Sequence, residues 1–160
     1  MQEACAAFAI VTWWRFSGES ETTMMIQMYF HTSDPAKNKM ARWFQQHQIS
    51  LQSRNILRQP LTRPEIKHLF LMTANGSDDL LAKRSKATQA LALDLEKLSF
   101  NQLVALIQKH PQILKNPIVF DDRSLLTGFN SEKVGVFIPQ KQRKKERRSL
   151  FDQLYSAELI

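Results

Sequence analysis

Between residues 25 and 56 the hydrophobic pattern changes twice, and this change limits the folds that the chain can adopt. Residues 25–30 (MIQMYF) form a short apolar run typical of a strand, and residues 51–56 give a second strand signal. The residues between them follow helical spacing, with an apolar face of Met40, Trp43, Phe44 and His47. A strand, a helix and a strand in this order predict a right-handed βαβ unit with a parallel pair.

The helix of this unit has a strong start signal. Asp34 is a favourable N-cap, and Pro35 follows it at the first helical position, where the missing N–H of proline does no harm. We therefore expect the helix to run from about residue 36 to residue 47.

Helix signals dominate residues 60–111. Thr62 and Glu65 fit a capping box, and Gly76 follows the resulting helix in a turn that favours positive φ. Residues 77–79 (SDD) predict the cap of a short helix that continues to Ser85. Ser99 opens a third helix, which His110 and Pro111 close.

Strand signals return after this helical region. Residues 118–120 and 125–126 flank a polar turn and predict a β-hairpin. Ser131 is expected to cap a last helix, with Val134, Phe137 and Ile138 inward and Pro139 at its end. The complete order predicts an α/β thioredoxin-like fold, in which a mixed sheet carries a helical insertion.

The positive charge is concentrated near the end of the sequence. Lys and Arg number 22 against 15 Asp and Glu, a net charge of +7, and residues 141–148 (KQRKKERR) account for +5 of it. This basic segment favours contact with DNA or another polyanion, although a run of like charges also occurs on a solvated helix.

A single cysteine, Cys5, restricts the chemistry of the sequence. One cysteine cannot form an internal disulfide, a CxxC pair or a cysteine-based zinc site, and the four histidines lack ligand spacing. We therefore expect a cytoplasmic protein with no metal, no cofactor and no thiol chemistry between cysteines of the same chain.

Residues 1–24 differ in character from the rest. The apolar run at 4–14 is shorter than the roughly 20 residues that a membrane helix needs. The residues before it also lack the positive charge of a signal peptide. We interpret this leader as an over-extended start or a disordered segment, with a docking leader as the alternative, and we expect no membrane association.

Several segments resemble one known family. They are MIQMYF (25–30), ARWFQQHQI (41–49), RNIL (54–57), PLTRPEIKHLFLMTANGSDD (60–79), RSK (84–86) and HPQILKNPIVFDDRSLLTGFN (110–130). Together they are similar to the Spx family of RNA-polymerase-binding regulators, which belongs with the arsenate-reductase-like (ArsC) proteins. The resemblance implies one domain at 25–140, built from a core at 25–58 and 112–140 with the insertion at 60–111. A basic tail at 141–160 follows.

The resemblance also shows what this chain has lost. The family carries a CxxC pair between the first strand and the first helix, and the matching positions here are Asp34 and Lys37. Arsenate reductases place an arginine before the proline of the late hairpin, where this chain has Asn116, and the family fold places a cis proline at Pro117. These departures argue against arsenate reduction and against an internal redox switch.

The family's binding surface is retained. The resemblance implies that Gly76 packs against the C-terminal domain of the polymerase α subunit, with Leu71, Ser77 and Asp78 beside it. It also implies that Arg84 and Lys86 face promoter DNA, so that the contact with DNA is indirect and electrostatic. Spacing alone favours a helix C-cap for Gly76, and the basic pair is also compatible with a solvated helix end.

Three functions follow from these observations. The first is a polymerase-binding transcription regulator without a redox switch, whose level a Clp-type protease would control as the resemblance implies. The second is an ArsC-type reductase or thiol oxidoreductase, which lacks its nucleophile here. The third is a degenerate paralogue that binds another protein, and the sequence does not separate it from the first.

Overall fold

The computed structural model describes residues 25–92 and 94–157. The expectations for the leader at 1–24, including Cys5, lie outside the described residues, as does the extreme end of the basic tail. Within the described residues, the strands and the helical insertion follow one another in the predicted order. The strands are β1 (Ile26–Phe30), β2 (Leu51–Asn55), β3 (Ile118–Phe120) and β4 (Leu125–Thr127).

The helices come in three groups along the chain. They are α1 (Pro35–Gln46), α2 (Arg63–Met72), α3 (Ser77–Leu80), α4 (Lys86–Ala90), α5 (Phe100–Lys109) and α6 (Gln140–Ala157). Short 3₁₀ turns lie at Leu95–Lys97, Pro111–Ile113 and Val134–Phe137. Helix α1 joins the two parallel strands, α2 to α5 form the helical insertion, and α6 follows the last 3₁₀ turn.

The four strands form one mixed sheet in the order β2-β1-β3-β4. β1 and β2 are parallel, with Ile26 opposite Leu51, which confirms the predicted βαβ pairing. β3 is antiparallel to β1 and also to β4, so the late hairpin completes the sheet beside β1. This is the α/β mixed sheet with a helical insertion that the sequence predicts.

The two faces of β1 enter two different hydrophobic cores, because successive strand side chains point to opposite sides. Tyr29 packs in a core with residues of α2 and α5, such as Leu69 and Ile107. Met28 packs in a second core with Met40 and Phe44 of α1. The insertion and α1 therefore cover opposite faces of the sheet.

The predicted helix starts are confirmed by their hydrogen bonds. The backbone N–H of Lys37 donates to Oδ1 of Asp34 at 2.8 Å, and Pro35 occupies the first turn of α1. Thr62 and Glu65 form the reciprocal capping box of α2, and Ser99 begins α5 in the same way. The Asn116–Pro117 bond is cis, as the resemblance implies.

The expected helix from 77 to 85 is wrong in its length. Helix α3 ends at Leu80, and Leu81 is extended because its backbone pairs with Leu114 in an isolated bridge. Both Leu80 and Leu81 are buried. A separate helix, α4, begins after Ser85, whose hydroxyl accepts from the backbone N–H of Thr88.

The expected role of Ser131 is also wrong. Asn130 instead uses Oδ1 to accept from the backbone N–H groups of Glu132 and Lys133, at 2.9 and 3.1 Å. The segment that follows is a tight 3₁₀ turn of four residues, Val134–Phe137, and not an α-helix. Val134 and Phe137 are nevertheless buried, as predicted.

Candidate functional site

The turn after α2 leaves the space above the backbone of Gly76 open. Gly76 has φ 60° and ψ −121°, the first central position of a type II′ turn, and the N–H of Asp78 closes the turn onto the carbonyl of Asn75 at 3.4 Å. Glycine is strongly favoured in this conformation. A Cβ at Gly76 would meet no atom within 4 Å, so no other part of the described chain covers the turn.

The side chain of Asp79 fixes this turn through three hydrogen bonds. Its Oδ2 accepts from the N–H groups of Ala74 and Asn75 at 3.1 and 2.8 Å, and its Oδ1 accepts from the Asn75 amide at 3.2 Å. These hydrogen bonds, first among them the one from the backbone of Asn75, lower the pKa of Asp79 below its ordinary value of 3.8. The carboxylate therefore fixes the shape of the exposed turn.

We expect Asp79→Ala to lower the free energy of unfolding by about 1 kcal/mol at neutral pH, since the hydrogen bonds are solvent-exposed and screened. Because the folded pKa of Asp79 is lowered, its contribution is present above pH 3.8 and is lost as the pH falls through the folded pKa. Urea unfolding of both proteins at several pH values measures this. A difference that grows as the solution becomes acidic would contradict the assignment.

Leu71, Ser77 and Asp78 surround the turn in different ways. Leu71 lies near the end of α2 with 84% of its surface exposed, an unusual position for a large apolar side chain. Ser77 is the first residue of α3. Asp78 forms an ion pair with Lys83 at 2.6 Å, and its carbonyl accepts from Nζ of Lys115 at 2.6 Å.

Lys83 links two acidic side chains beside the turn. Its Nζ lies 2.6 Å from Asp78 and 3.1 Å from Glu96. The hydrogen bond to Asp78, followed by that to Glu96, raises the pKa of Lys83. Both carboxylates are exposed, so the pairs orient the segment more than they stabilise the fold.

Arg84 and Lys86 are exposed on either side of Ser85, the N-cap of α4. Their segment is anchored because the buried hydroxyl of Thr88 donates to the carbonyl of Ala82 at 2.8 Å. Arg84 and Asp78 line one open cleft of about 410 Å³. The structure thus brings these two predicted residues together, whereas Leu71 and Lys86 lie outside the lining of the cleft.

The former thiol positions are part of a different, polar cluster. Asp34 accepts from the Asn116 amide at 2.8 Å as well as from the Lys37 backbone. Asn116 also donates to the carbonyl of Thr32 and accepts from the N–H of His31. Lys37 Nζ lies 4.8 Å from the centre of the Phe30 ring. The Asp34 carboxylate is thus engaged by the start of α1 and by the loop that precedes β3.

His31 completes this polar cluster. Its Nδ1 lies 2.8 Å from Oγ1 of Thr32, and its Nε2 lies 3.1 Å from the carbonyl of Leu114. Both ring nitrogens thus have a hydrogen-bonding partner within the chain, so the contacts of His31 are structural.

Sequence reasoning missed four residues of these two surfaces: Asp79, Lys83, Lys115 and Asn116. Lys83 and Lys115 carry no motif, and only the folded chain places them next to Asp78. The sequence did contain a signal for Asn116. Both Asn116 and Asp34 occupy positions where the resembling family carries functional residues.

The helices in the described part of the chain are all too short or too polar to cross a bilayer. Among known proteins, residues 30–137 match the ArsC family. The chain is 35% identical to the global transcriptional regulator Spx 1 of Lactococcus lactis, over 80% of this chain and 100% of that protein. It is 36% identical to the global transcriptional regulator Spx of Listeria monocytogenes, over 78% and 95% of the two chains.

Solved structures give the same fold. An ArsC-family-related protein from Bacteroides fragilis has a TM-score of 0.61 and 18% identity, covering 69% of this chain and 95% of its own. The arsenate reductase from Vibrio cholerae has a TM-score of 0.60 and 17% identity, covering 72% and 98%. The thioredoxin-like mixed sheet, the match over residues 30–137 and the curated relatives agree, and the chain belongs to the ArsC family as a relative of the Spx regulators.

Proposed function

We propose that this protein is an Spx-like transcription regulator that binds the C-terminal domain of the RNA polymerase α subunit. The contact is the Gly76 surface, which consists of Leu71, Gly76, Ser77 and Asp78. The observation that carries this proposal is the open space above the Gly76 backbone, where a Cβ would meet no atom of the described chain within 4 Å. The relatives named as Spx regulators supply the class of function.

The geometry of the Gly76 surface suits a protein partner. The hydrogen bonds of Asp79 hold the turn in one shape, so little conformational freedom is lost on binding. A glycine allows the partner backbone to approach closely. Leu71, 84% exposed on the neighbouring helix, offers an apolar anchor next to this backbone.

In this proposal, Arg84 and Lys86 contact DNA phosphates at the promoter where the α subunit binds. Both side chains are exposed, and Arg84 shares a cleft with Asp78 of the Gly76 surface. Phosphate contacts by such side chains add affinity that depends on salt and carries little base specificity. Promoter choice would therefore come from the α subunit that this protein positions.

Thiol chemistry has no part in the proposal. The sequence contains only Cys5, and the carboxylate of Asp34 is hydrogen-bonded by Lys37 and Asn116 at the start of α1. A carboxylate held in this way provides neither the thiolate nucleophile of arsenate reduction nor half of a disulfide. Control would come from the amount of protein, for which a Clp-type protease is the partner implied by the resemblance.

Transcription with purified components tests the function. We expect the protein to change transcript levels from sensitive promoters when the polymerase carries the intact α subunit. The effect should disappear with a polymerase whose α subunit lacks its C-terminal domain. An effect that survives this truncation would contradict the proposed contact and favour a paralogue with another partner.

We expect the double variant Arg84→Gln/Lys86→Gln to weaken the ternary complex with α subunit and promoter by about three- to tenfold at moderate salt. The logarithm of the binding constant falls linearly with the logarithm of the salt concentration, and we call the steepness of this line the salt slope. Each lost phosphate contact should also reduce the salt slope by about 0.9. Electrophoretic mobility shifts at several salt concentrations measure both quantities. Lys39→Gln/Lys67→Gln removes the same charge from exposed positions on other helices. Equal losses in both double variants would contradict a specific role for the pair.

A further inference from the structure

Helix α6 is long, exposed and strongly charged in its first half. It runs over 18 residues, from Gln140 to Ala157. Residues 141–148, which we call the basic half, contain six basic residues and one acidic residue. The acidic residue, Glu146, accepts a hydrogen bond from the Gln142 amide at 3.1 Å. The basic side chains are exposed and do not pack in the hydrophobic cores. Core packing therefore does not explain their positive charge.

Five of the six cations of the basic half are available to a partner. Within the described residues, no carboxylate forms an ion pair with Arg143, Lys144, Lys145, Arg147 or Arg148. All five side chains are exposed. At 100° per residue, the six basic positions cover an arc of about 200° around the helix. A cationic arc this wide can contact anionic groups on both sides of the helix at once.

The charge excludes a second copy of this chain as the main occupant. Two basic halves of +5 each would repel when placed side by side. In an antiparallel pair, each basic half would face the exposed apolar side chains at the other end of α6. These side chains are Leu150, Phe151, Leu154 and Tyr155. They offer no negative charge to the basic half.

The order of side chains along α6 also disfavours a lipid bilayer. A helix that lies on a membrane separates its cations from its apolar side chains around the circumference. Here Arg143 and Arg147 are followed by Leu150 and Leu154 along one stripe, since these positions are spaced by three or four residues. The face that would enter the bilayer therefore carries two arginines.

We propose that the basic half of α6 binds the phosphate backbone of duplex DNA. The major groove is about 12 Å wide, admits one helix and has phosphates along both walls, which matches a wide cationic arc. The residues span about 10 Å of helix, enough to meet a few phosphates on each strand. This binding adds to the proposed function and does not depend on the contact with polymerase.

This DNA-binding element lies apart from Arg84 and Lys86. Lys145 of α6 lines a cleft of about 730 Å³ together with His47 at the end of α1. Helix α1 covers one face of the sheet, and the insertion that carries Arg84 covers the other. Variants of the two basic elements can therefore be tested separately.

Fluorescence anisotropy with a labelled DNA duplex of unrelated sequence tests the proposal, with the full 160-residue chain and a series of salt concentrations. The test variant combines Arg143→Gln, Lys144→Gln, Arg147→Gln and Arg148→Gln. Glutamine retains helix propensity, so α6 should persist, and circular dichroism verifies this. The control combines Lys39→Gln, Arg58→Gln, Lys67→Gln and Lys109→Gln, which remove the same charge from exposed positions elsewhere.

We expect the α6 variant to bind the duplex at least about tenfold more weakly, with a salt slope reduced by about 2 to 4. The control should keep most of its affinity and slope. Equal behaviour of the α6 variant and the wild type, or equal losses in both variants, would overturn the proposal. So would tighter binding to phosphatidylserine vesicles than to the duplex. Because polymerase is absent, none of these results bears on the Gly76 surface.

Discussion

Gly76→Arg is expected to weaken binding to the C-terminal domain of the polymerase α subunit by at least about 30-fold, the effect of losing a contact worth about 2 kcal/mol. A side chain at this position would point into the space that is empty in the free protein. The Cβ of the arginine would therefore meet no atom of the described chain within 4 Å, and its side chain would extend toward the place of the partner. Titration calorimetry with the isolated α-subunit domain measures the loss.

Gly76→Ala is the matched control for the backbone. Alanine and arginine bear a similar penalty at φ 60° and ψ −121°, about 1 to 3 kcal/mol, but alanine adds almost no bulk. We expect both variants to be destabilised alike in urea, whereas only arginine removes most of the binding. Binding of the arginine variant at the wild-type level would show that the turn does not contact the α subunit.

Asp34→Ala is expected to lower the free energy of unfolding by about 2 to 3 kcal/mol. The substitution removes the N-cap of α1, worth about 1 kcal/mol, and the charged acceptor of the Asn116 amide, worth about 1.5 kcal/mol or more. Urea unfolding measures the change. Binding to the α subunit should persist at a temperature where the variant is folded, because Asp34 lies outside the Gly76 surface.

Two further variants separate the parts of this effect. Serine at position 34 keeps a capping oxygen but is too short to replace the carboxylate opposite Asn116, so Asp34→Ser should lose less stability than Asp34→Ala. Asn116→Ala combined with Asp34→Ala completes a double-mutant cycle. A coupling energy near zero would contradict the contact between the loop and the helix.

Local signals explain why much of the fold could be predicted from the sequence. The starts of α1 and α2 are encoded within four residues, by Asp34 with Pro35 and by Thr62 with Glu65. The parallel pairing of β1 with β2 follows from their connection through a helix. These features depend on neighbours in the chain, so periodicity and caps are sufficient to find them.

The error at α3 occurred where a distant residue decides. Helix α3 stops at Leu80 because the backbone of Leu81 pairs with Leu114, which no local pattern indicates. The same holds for the candidate site. The turn at Gly76 could be predicted from its residues, but the contact of Lys115 with the Asp78 carbonyl could not. Asp79 was interpreted as a helix cap and instead holds the turn that precedes its own helix.

The most direct test of the central claim is an NMR titration of the ¹⁵N-labelled protein with the isolated C-terminal domain of the α subunit. We expect saturable shifts of the backbone amides of Leu71, Gly76, Ser77 and Asp78, the same with and without a reducing agent. The amides around Asp34 and Lys37 should shift little. No shifts at saturating partner, or shifts confined to residues away from the Gly76 surface, would contradict the claim that this protein binds polymerase through that turn.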